Sequence, residues 1–230
     1  MKTVAGALDL PVSTLERWIR QGRIPVHKTE GNCLFKAEDL KKWAESRSLT
    51  FDLARKPIST IPYSELDNLL SAMRRGGVYY DIEGRQLGES LTSAVGHLSF
   101  LKADEQTALQ KMLIEREDMA STGIGKGVAI PHPRSPFTQA ITASTIATCF
   151  LKNPVDFGSV DDKPVFILFI LLSTSVKNHL HLLSRLSFCV READFTDFLR
   201  TSPPAEELYA KIAEFETKLE QSEGNRLSSE

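Results

Sequence analysis

Apolar residues recur along this chain with two different periods, and the switches between them mark out its elements. Near the start Val4, Ala5, Ala7 and Leu8 make a short amphipathic turn and a half, Asp9 and Leu10 connect, and Pro11 opens a second helix that runs to Gln21 and stops at Gly22. In that second helix Leu15, Trp18 and Ile19 share the core face, which leaves Ser13, Thr14, Arg17 and Arg20 on the others. A hairpin tip at Thr29-Glu-Gly-Asn32 and a helix over 37–43 follow. Further on, Leu66, Leu69, Leu70 and Met73 form a helical stripe over 63–75, closed by Gly76-Gly77. Helices are also predicted over 87–98, 105–119, 179–199 and 205–219, and strands over 78–82, 128–131, 143–151 and 165–172. The unbroken apolar run Val165-Phe-Ile-Leu-Phe-Ile-Leu-Leu172 suits a central strand covered on both faces. Helices alternating with such strands predict a layered α/β domain.

Between the two patterned regions, residues 46–62 carry Ser, Thr and Pro with little periodicity. The organisation expected is therefore a head of 1–47, a linker of 48–60, an α/β domain of 61–220 and a polar, disordered tail of 221–230. The net charge of −2 conceals a split: residues 1–56 hold 11 Lys/Arg against 7 Asp/Glu, or +4, and the rest hold 17 against 23, or −6. A basic head on an acidic body suits two different partners. Cys33, Cys149 and Cys189 are odd in number and lack a C-x-x-C pair, so neither a disulfide framework nor a zinc site is indicated and a cytoplasmic setting is expected. The run at 165–172 is far shorter than the ~20 residues of a membrane helix. Met1–Leu10, short and interrupted by Asp9, does not read as a signal peptide, so no membrane insertion is expected.

The chemistry concentrates in Ser121-Thr-Gly-Ile-Gly-Lys-Gly-Val-Ala-Ile-Pro-His132-Pro-Arg134. Glycines at 123, 125 and 127 bare one side of an extended segment, so that backbone or ligand can approach it closely. Pro131 and Pro133 end regular pairing and let the His132 ring project, where an imidazole titrating near neutrality suits proton or phosphoryl transfer. Neither ring nitrogen is singled out by the pattern. Nucleotide readings fail on spacing: Ala120 stands where a P-loop needs its first glycine, Gly127 follows Lys126 where Ser or Thr is required, and Val128 occupies the third glycine position of a dinucleotide fingerprint. A glycine-rich turn bearing a solvated histidine is the other reading of the same residues.

Two resemblances sharpen this. Thr14-Leu-Glu-Arg-Trp-Ile-Arg-Gln-Gly-Arg-Ile-Pro25, followed by Phe35-Lys-Ala-Glu-Asp-Leu-Lys-Lys-Trp43, resembles the excisionase and MerR-like helix-turn-helix domains. That implies a small winged-helix-like DNA-binding domain, with Ser13, Thr14, Arg17 and Arg20 of the second helix and His27 and Lys28 of the wing as the DNA-binding candidates; a protein-interaction module is the alternative. Leu113-Ile-Glu-Arg116-Glu-Asp-Met-Ala-Ser-Thr-Gly-Ile-Gly-Lys-Gly-Val-Ala-Ile-Pro-His132, with Lys177-Asn-His179-Leu-His-Leu-Leu183 later, resembles the fructose/mannitol-type enzyme IIA domains of the bacterial phosphotransferase system, especially their nitrogen-regulatory branch. The second resemblance implies a three-layer α/β domain with a mixed sheet between helices. It also implies that His132 accepts a phosphoryl group from an HPr-like phosphocarrier protein and passes it to a IIB-type or regulatory acceptor. By the same resemblance His179 is the second active-site histidine and Arg116 the arginine of an R-E motif.

The residue types support those roles independently. A phosphoryl group adds roughly two negative charges, which a guanidinium such as Arg116 meets with paired donors. His179, with Asn178 as the expected N-cap, would stand at a helix N-terminus where amides and dipole favour an anion. Ser121, Thr122 and Arg134 are candidates for holding phosphate, the two hydroxyls being equally suited to turns. His181 lies about 200° from His179 around a helix, so the two cannot share a centre or a metal ion. His97 reads as a solvated residue. Pro133 departs from the glycine usual in the family and removes one amide donor. No metal or cofactor is implied. The function expected is a regulatory IIA protein that couples phosphorylation to DNA or protein binding; the alternatives are a transport IIA component for a sugar permease and a binding module with a vestigial site.

Overall fold

Leu15 and Ile19 stand one helical turn apart, and burying both organises the first of two compact units, residues 1–66 and 67–230. The computed structural model of the protein describes residues 4, 7–8, 12–29, 32–46, 51 and 66–227; for 12–14, 16, 27–29, 32–34, 220 and 222–227 it describes the backbone. Helix α1 (Val12–Arg20) leads to an antiparallel ribbon, β1 (His27–Thr29) and β2 (Asn32–Leu34), in which Thr29 faces Asn32, and helix α2 (Ala37–Glu45) follows. Leu8, Leu15, Ile19, Ile24, Leu40 and Ala44 form the core. Trp18 and Trp43 meet edge to face at 5.7 Å between centroids, and Trp43 Nε1 donates to the Arg23 carbonyl at 2.9 Å. Apart from Phe51, the expected linker of 48–60 lies outside the described residues.

The second unit contains α3 (Leu69–Gly76), β3 (Val78–Ile82), α4 (Leu87–Gly96), α5 (Ala103–Glu117), β4 (Gly123–Gly125), β5 (Val128–Ala129), β6 (Thr145–Val155), β7 (Val165–Leu172), α6 (Val176–Arg191), α7 (Ala193–Arg200) and α8 (Ala205–Leu227). Its sheet has the order β3-β6-β7-β5-β4, with β3 parallel to β6, β7 antiparallel to β6, β5 parallel to β7 and β4 antiparallel to β5. The unbroken apolar run is the middle strand. Ile167, Phe169 and Leu171 face one core with Met73, Leu186, Phe195 and Ile212 of α3, α6, α7 and α8, while Leu168, Ile170 and Leu172 face another with Leu91, Val95, Leu109 and Leu113 of α4 and α5. These are three layers, helices on both faces of a mixed sheet.

Local chemistry moves several boundaries. The helix expected over 63–75 begins at Leu69, because Asn68 caps it by accepting from the Ser71 amide at 2.7 Å; 63–65 lie outside the described residues. Buried Glu216 of α8 also accepts from the Leu69 and Leu70 amides and pairs with Arg185 of α6 at 3.5 Å, which ties three helices together. The single helix expected over 179–199 is two, broken at Glu192, where ψ is 124°. Residues 221–227, expected as disordered tail, continue α8, and 228–230 lie outside the described residues. The glycine run folds as the β4–β5 hairpin instead of one strand over 128–131.

Candidate active site at a histidine pair

The hairpin is held from outside. Gly127 has φ +82°, and a Cβ there would lie 2.6 Å from the Phe166 ring; a Cβ on Gly123 would meet Ser159 Oγ at 2.4 Å. The bare side of the glycine run is thus filled by Phe166 of β7 and by the segment that leads into that strand, not left for a ligand. Lys126, itself at φ 57°, donates its amide to Asp161 at 2.9 Å and its ammonium to the Val190 and Arg191 carbonyls at the end of α6. Beyond β5 the Ile130 amide donates to the Thr122 carbonyl at 3.0 Å, and the Pro131 carbonyl accepts from the Leu171 amide at 2.9 Å. The chain is therefore anchored on both sides up to His132.

His132 Nδ1 lies 2.8 Å from the Ile130 carbonyl. A carbonyl only accepts, so Nδ1 carries the proton and Nε2 the lone pair. Helix α6 brings His179 to 4.8 Å from His132 between ring centroids, with the ring planes at 51°. Burial pushes the His132 ring below the ordinary imidazole value; the Ile130 bond opposes this, the nearby Arg116 charge adds to it and Glu117 opposes it. His179 is lowered by burial first, then by His132 and Arg116. Both rings are predominantly neutral at pH 7.

Arg116 closes α5 and donates Nη1 to the Ala120 carbonyl at 2.7 Å. Its neighbour Glu117 is buried and accepts from both the Thr122 amide and the Thr122 hydroxyl, each at 2.6 Å. Residue identity alone did not mark Glu117, but the signal was available: it continues the buried stripe of α5 from Leu109 and Leu113, one turn beyond the latter. A carboxylate at such a position must have donors.

The structure thus brings His132 and His179 together, with Arg116 near enough for its charge to act on both rings. The hydroxyls of Ser121 and Thr122 are engaged elsewhere. The Thr122 hydroxyl proton goes to Glu117, and the Ser121 hydroxyl donates to the Phe157 carbonyl at 2.5 Å while accepting from the Gly123 amide at 2.9 Å, so neither presents a free proton to an anion. Arg134 is exposed and lines a shallow cavity of about 420 Å³ with Met112, Glu115 and Ser135. The N-cap of α6 is Ser175, whose hydroxyl accepts from the Asn178 amide at 3.1 Å; Asn178 lies inside the helix, and the His179 amide donates to the Ser175 carbonyl. His97 is exposed at the end of α4, its Nδ1 2.8 Å from the Ser93 carbonyl. Arg17 and Arg20 are exposed on α1, and the side chains of Ser13, Thr14, His27 and Lys28 lie outside the described ones. Among the described residues no group of three or more His, Cys, Asp or Glu is arranged to hold a metal ion, and no helix is long and apolar enough to cross a membrane.

Residues 77–215, which include the whole histidine site, match the family profile described as phosphoenolpyruvate-dependent sugar phosphotransferase system, EIIA 2. The chain belongs to this family. Its IIA domain is 38% identical over 113 residues to the nitrogen regulatory protein of Pseudomonas aeruginosa, a match spanning 48% of this chain and 71% of that protein. It is 32% identical over 115 residues to the fructose-specific EIIA component of Haloferax volcanii, spanning 49% and 73%. The nitrogen regulatory protein IIA-Ntr of Neisseria meningitidis has a similar structure, with a TM-score of 0.54, 28% identity, and coverage of 62% of this chain and 97% of that one. Residues 2–48 match a helix-turn-helix domain. A nitrogen-regulatory-like IIA domain therefore follows an excisionase-like helix-turn-helix head.

Proposed function

We propose that this chain is a regulatory IIA protein whose His132 accepts a phosphoryl group at Nε2 from an HPr-like phosphocarrier and passes it to a IIB-type cysteine or a regulatory partner. The observation that carries this is the Nδ1 bond to the Ile130 carbonyl beside His179. It leaves Nε2 as a neutral nucleophile in a half-buried site. In the transfer, Nε2 supplies the electron pair of the new P–N bond and the carrier nitrogen recovers the pair of the bond that breaks. The His132 ring gains positive character, which the Ile130 carbonyl stabilises through the Nδ1 proton. Arg116 and His179 would meet the phosphoryl oxygens, Arg116 by charge and His179 as a hydrogen-bond donor.

Incubation with phosphoenolpyruvate, enzyme I and an HPr-like carrier tests this. An acid-labile mass gain that His132→Ala abolishes supports it; no gain with several carriers refutes it. Phosphorylation changes the local charge by about −2. Fusion of this domain to a helix-turn-helix head supports a coupling to DNA or partner binding, which unchanged affinity after stoichiometric phosphorylation would exclude. Similarity to a fructose-specific component supports sugar transport as the second reading. Phosphoryl passage to a IIB domain of a sugar permease, and not to a regulator, would favour that reading.

A further inference from the structure

His179 is placed by the first turn of α6, and one side chain of that turn reaches out of the helix. Asn178 Nδ2 donates to Asp67 Oδ2 at 3.2 Å and to Thr174 Oγ1 at 3.3 Å. Asp67 also accepts from Arg75 Nη2 at 2.8 Å, through Oδ1, and from the Ser144 amide at 3.1 Å, through Oδ2. Arg75 in turn donates Nε and Nη2 to the Ser144 carbonyl at 2.8 and 2.5 Å. One carboxylate thus joins the end of α3, the residue before β6 and the first turn of α6. Asp67 opens the second unit and precedes Asn178 by 111 positions. This is a tie that helix formation alone does not supply.

The tie also has a direction. Leu182 and Leu186 in the core and the Arg185–Glu216 pair hold the body of α6, whereas its first turn, where Val176 and Leu180 are exposed, lies outside those contacts and starts from the Ser175 cap. The Asn178 side chain gives that turn a second attachment three residues after the cap, and His179 is the next residue. Asn178 Oδ1 is buried without a hydrogen-bond partner. The side-chain amide is therefore oriented by its donor side alone, through Asp67 and Thr174. We propose that Asp67 is a positioning residue for phosphoryl transfer, its carboxylate fixing through Asn178 the turn that carries His179 against His132. This rests on the reading that His132 accepts the phosphoryl group.

The test uses the full chain. Asp67→Asn keeps the shape but replaces one acceptor oxygen with a donor, and both oxygens are used. The expected result is a fall of about 10- to 100-fold in the initial rate of His132 phosphorylation per folded molecule. The imidazole resonances of His179 should move towards those of an exposed histidine, while those of His97 stay put. Asn178→Ala should reproduce both effects, and the double variant should be no slower than the slower single. A folded Asp67→Asn protein with the wild-type rate and an unmoved His179 would overturn the proposal, since a merely structural role lowers stability without touching either. Where Asp67→Asn fails to fold, Asn178→Ala decides alone, because it leaves Asp67 bonded to Arg75 and Ser144. If the wild-type chain takes no phosphoryl group, the reading of His132 fails, and the His179 resonances still decide the role of Asp67.

Discussion

Replacing Glu117 by Ala should loosen the nucleophile from behind. The carboxylate is 6% exposed and takes two hydrogen bonds from Thr122, itself 4% exposed, so the substitution strands a buried amide and a buried hydroxyl. Hydrogen bonds to a charged group contribute about 1.5–3 kcal/mol each, so the loss should be about 3–6 kcal/mol. At about 2–4 °C per kcal/mol for a domain of this size, Tm should drop by roughly 6–24 °C. The fault then travels: the Thr122 carbonyl holds the Ile130 amide at 3.0 Å, and the Ile130 carbonyl holds His132 Nδ1 at 2.8 Å. Phosphorylation should therefore slow beyond what the unfolded fraction explains. Thr122→Val removes only the hydroxyl bond and should cost about half as much. The double variant should fall short of the sum by about 1–3 kcal/mol, since the two share one interaction. Glu115→Ala is the control, because its ion pair with Lys111 is 62% and 77% exposed at the two side chains and should contribute under about 0.5 kcal/mol. Urea denaturation and initial phosphorylation rates measure both quantities. A loss below about 1 kcal/mol for Glu117→Ala, or full additivity with Thr122→Val, would refute the strut.

Other perturbations follow from the same geometry. The Arg116 charge helps hold both imidazoles below the ordinary value, so in Arg116→Gln the acid limb of the phosphorylation rate should move to higher pH; an unmoved limb would remove Arg116 from the site. Because the folded rings resist protons that unfolded histidines take up near pH 6.5, stability should be full above that pH and fall as pH drops through and below it, less so when both histidines are replaced. Gly127→Ala should cost about 2–5 kcal/mol, from a positive φ and a 2.6 Å approach to Phe166, whereas Gly88→Ala, in open space on α4, should be neutral or stabilising; thermal melts separate them. If the head binds DNA, Arg17→Ala with Arg20→Ala should reduce the magnitude of the slope of log K against log salt by about 2.

The strands were legible where one force dominated. Val165–Leu172 is apolar at every position, too short for an ordinary helix and rich in β-branched and aromatic residues, so a strand buried on both faces is what its length and residue types indicate. Helix ends were less legible because they depend on single hydrogen bonds. Asn68 and Ser175 outcompete the apolar stripe in setting where α3 and α6 start, and Glu192 breaks a pattern that is otherwise continuous. At the site, His132 and His179 stand out in the sequence because the chain has only 5 histidines, whereas Arg116, one of many arginines, is marked only by its R-E motif. Glu117 and Asp67 do not stand out, because carboxylates are common and only the fold shows which of them is surrounded by donors. Ser121 and Thr122 show the same dependence in reverse: a hydroxyl's use depends on which acceptor reaches it first, and here the Phe157 carbonyl and Glu117 do.

Pro133 bears on how tightly such a site can hold a phosphoryl group. It is buried and has no N–H, so the backbone just after His132 offers no donor there. On the other side, the Asn178 and His179 amides of α6 are already taken by the side chain and carbonyl of Ser175. Under the proposed function the phosphoryl group would then rest mainly on the Arg116 guanidinium and the His179 ring. Few fixed amide donors mean that less hold falls on the intermediate alone, over and above what the two flanking transition states share. A carrier that must give its cargo away gains from that, since each 1.4 kcal/mol of extra hold on the intermediate alone slows departure about tenfold. Replacing glycine by proline after the histidine would in this light ease release while shifting the demand for charge stabilisation onto one arginine, and Arg116 is the residue whose loss such a site can least absorb.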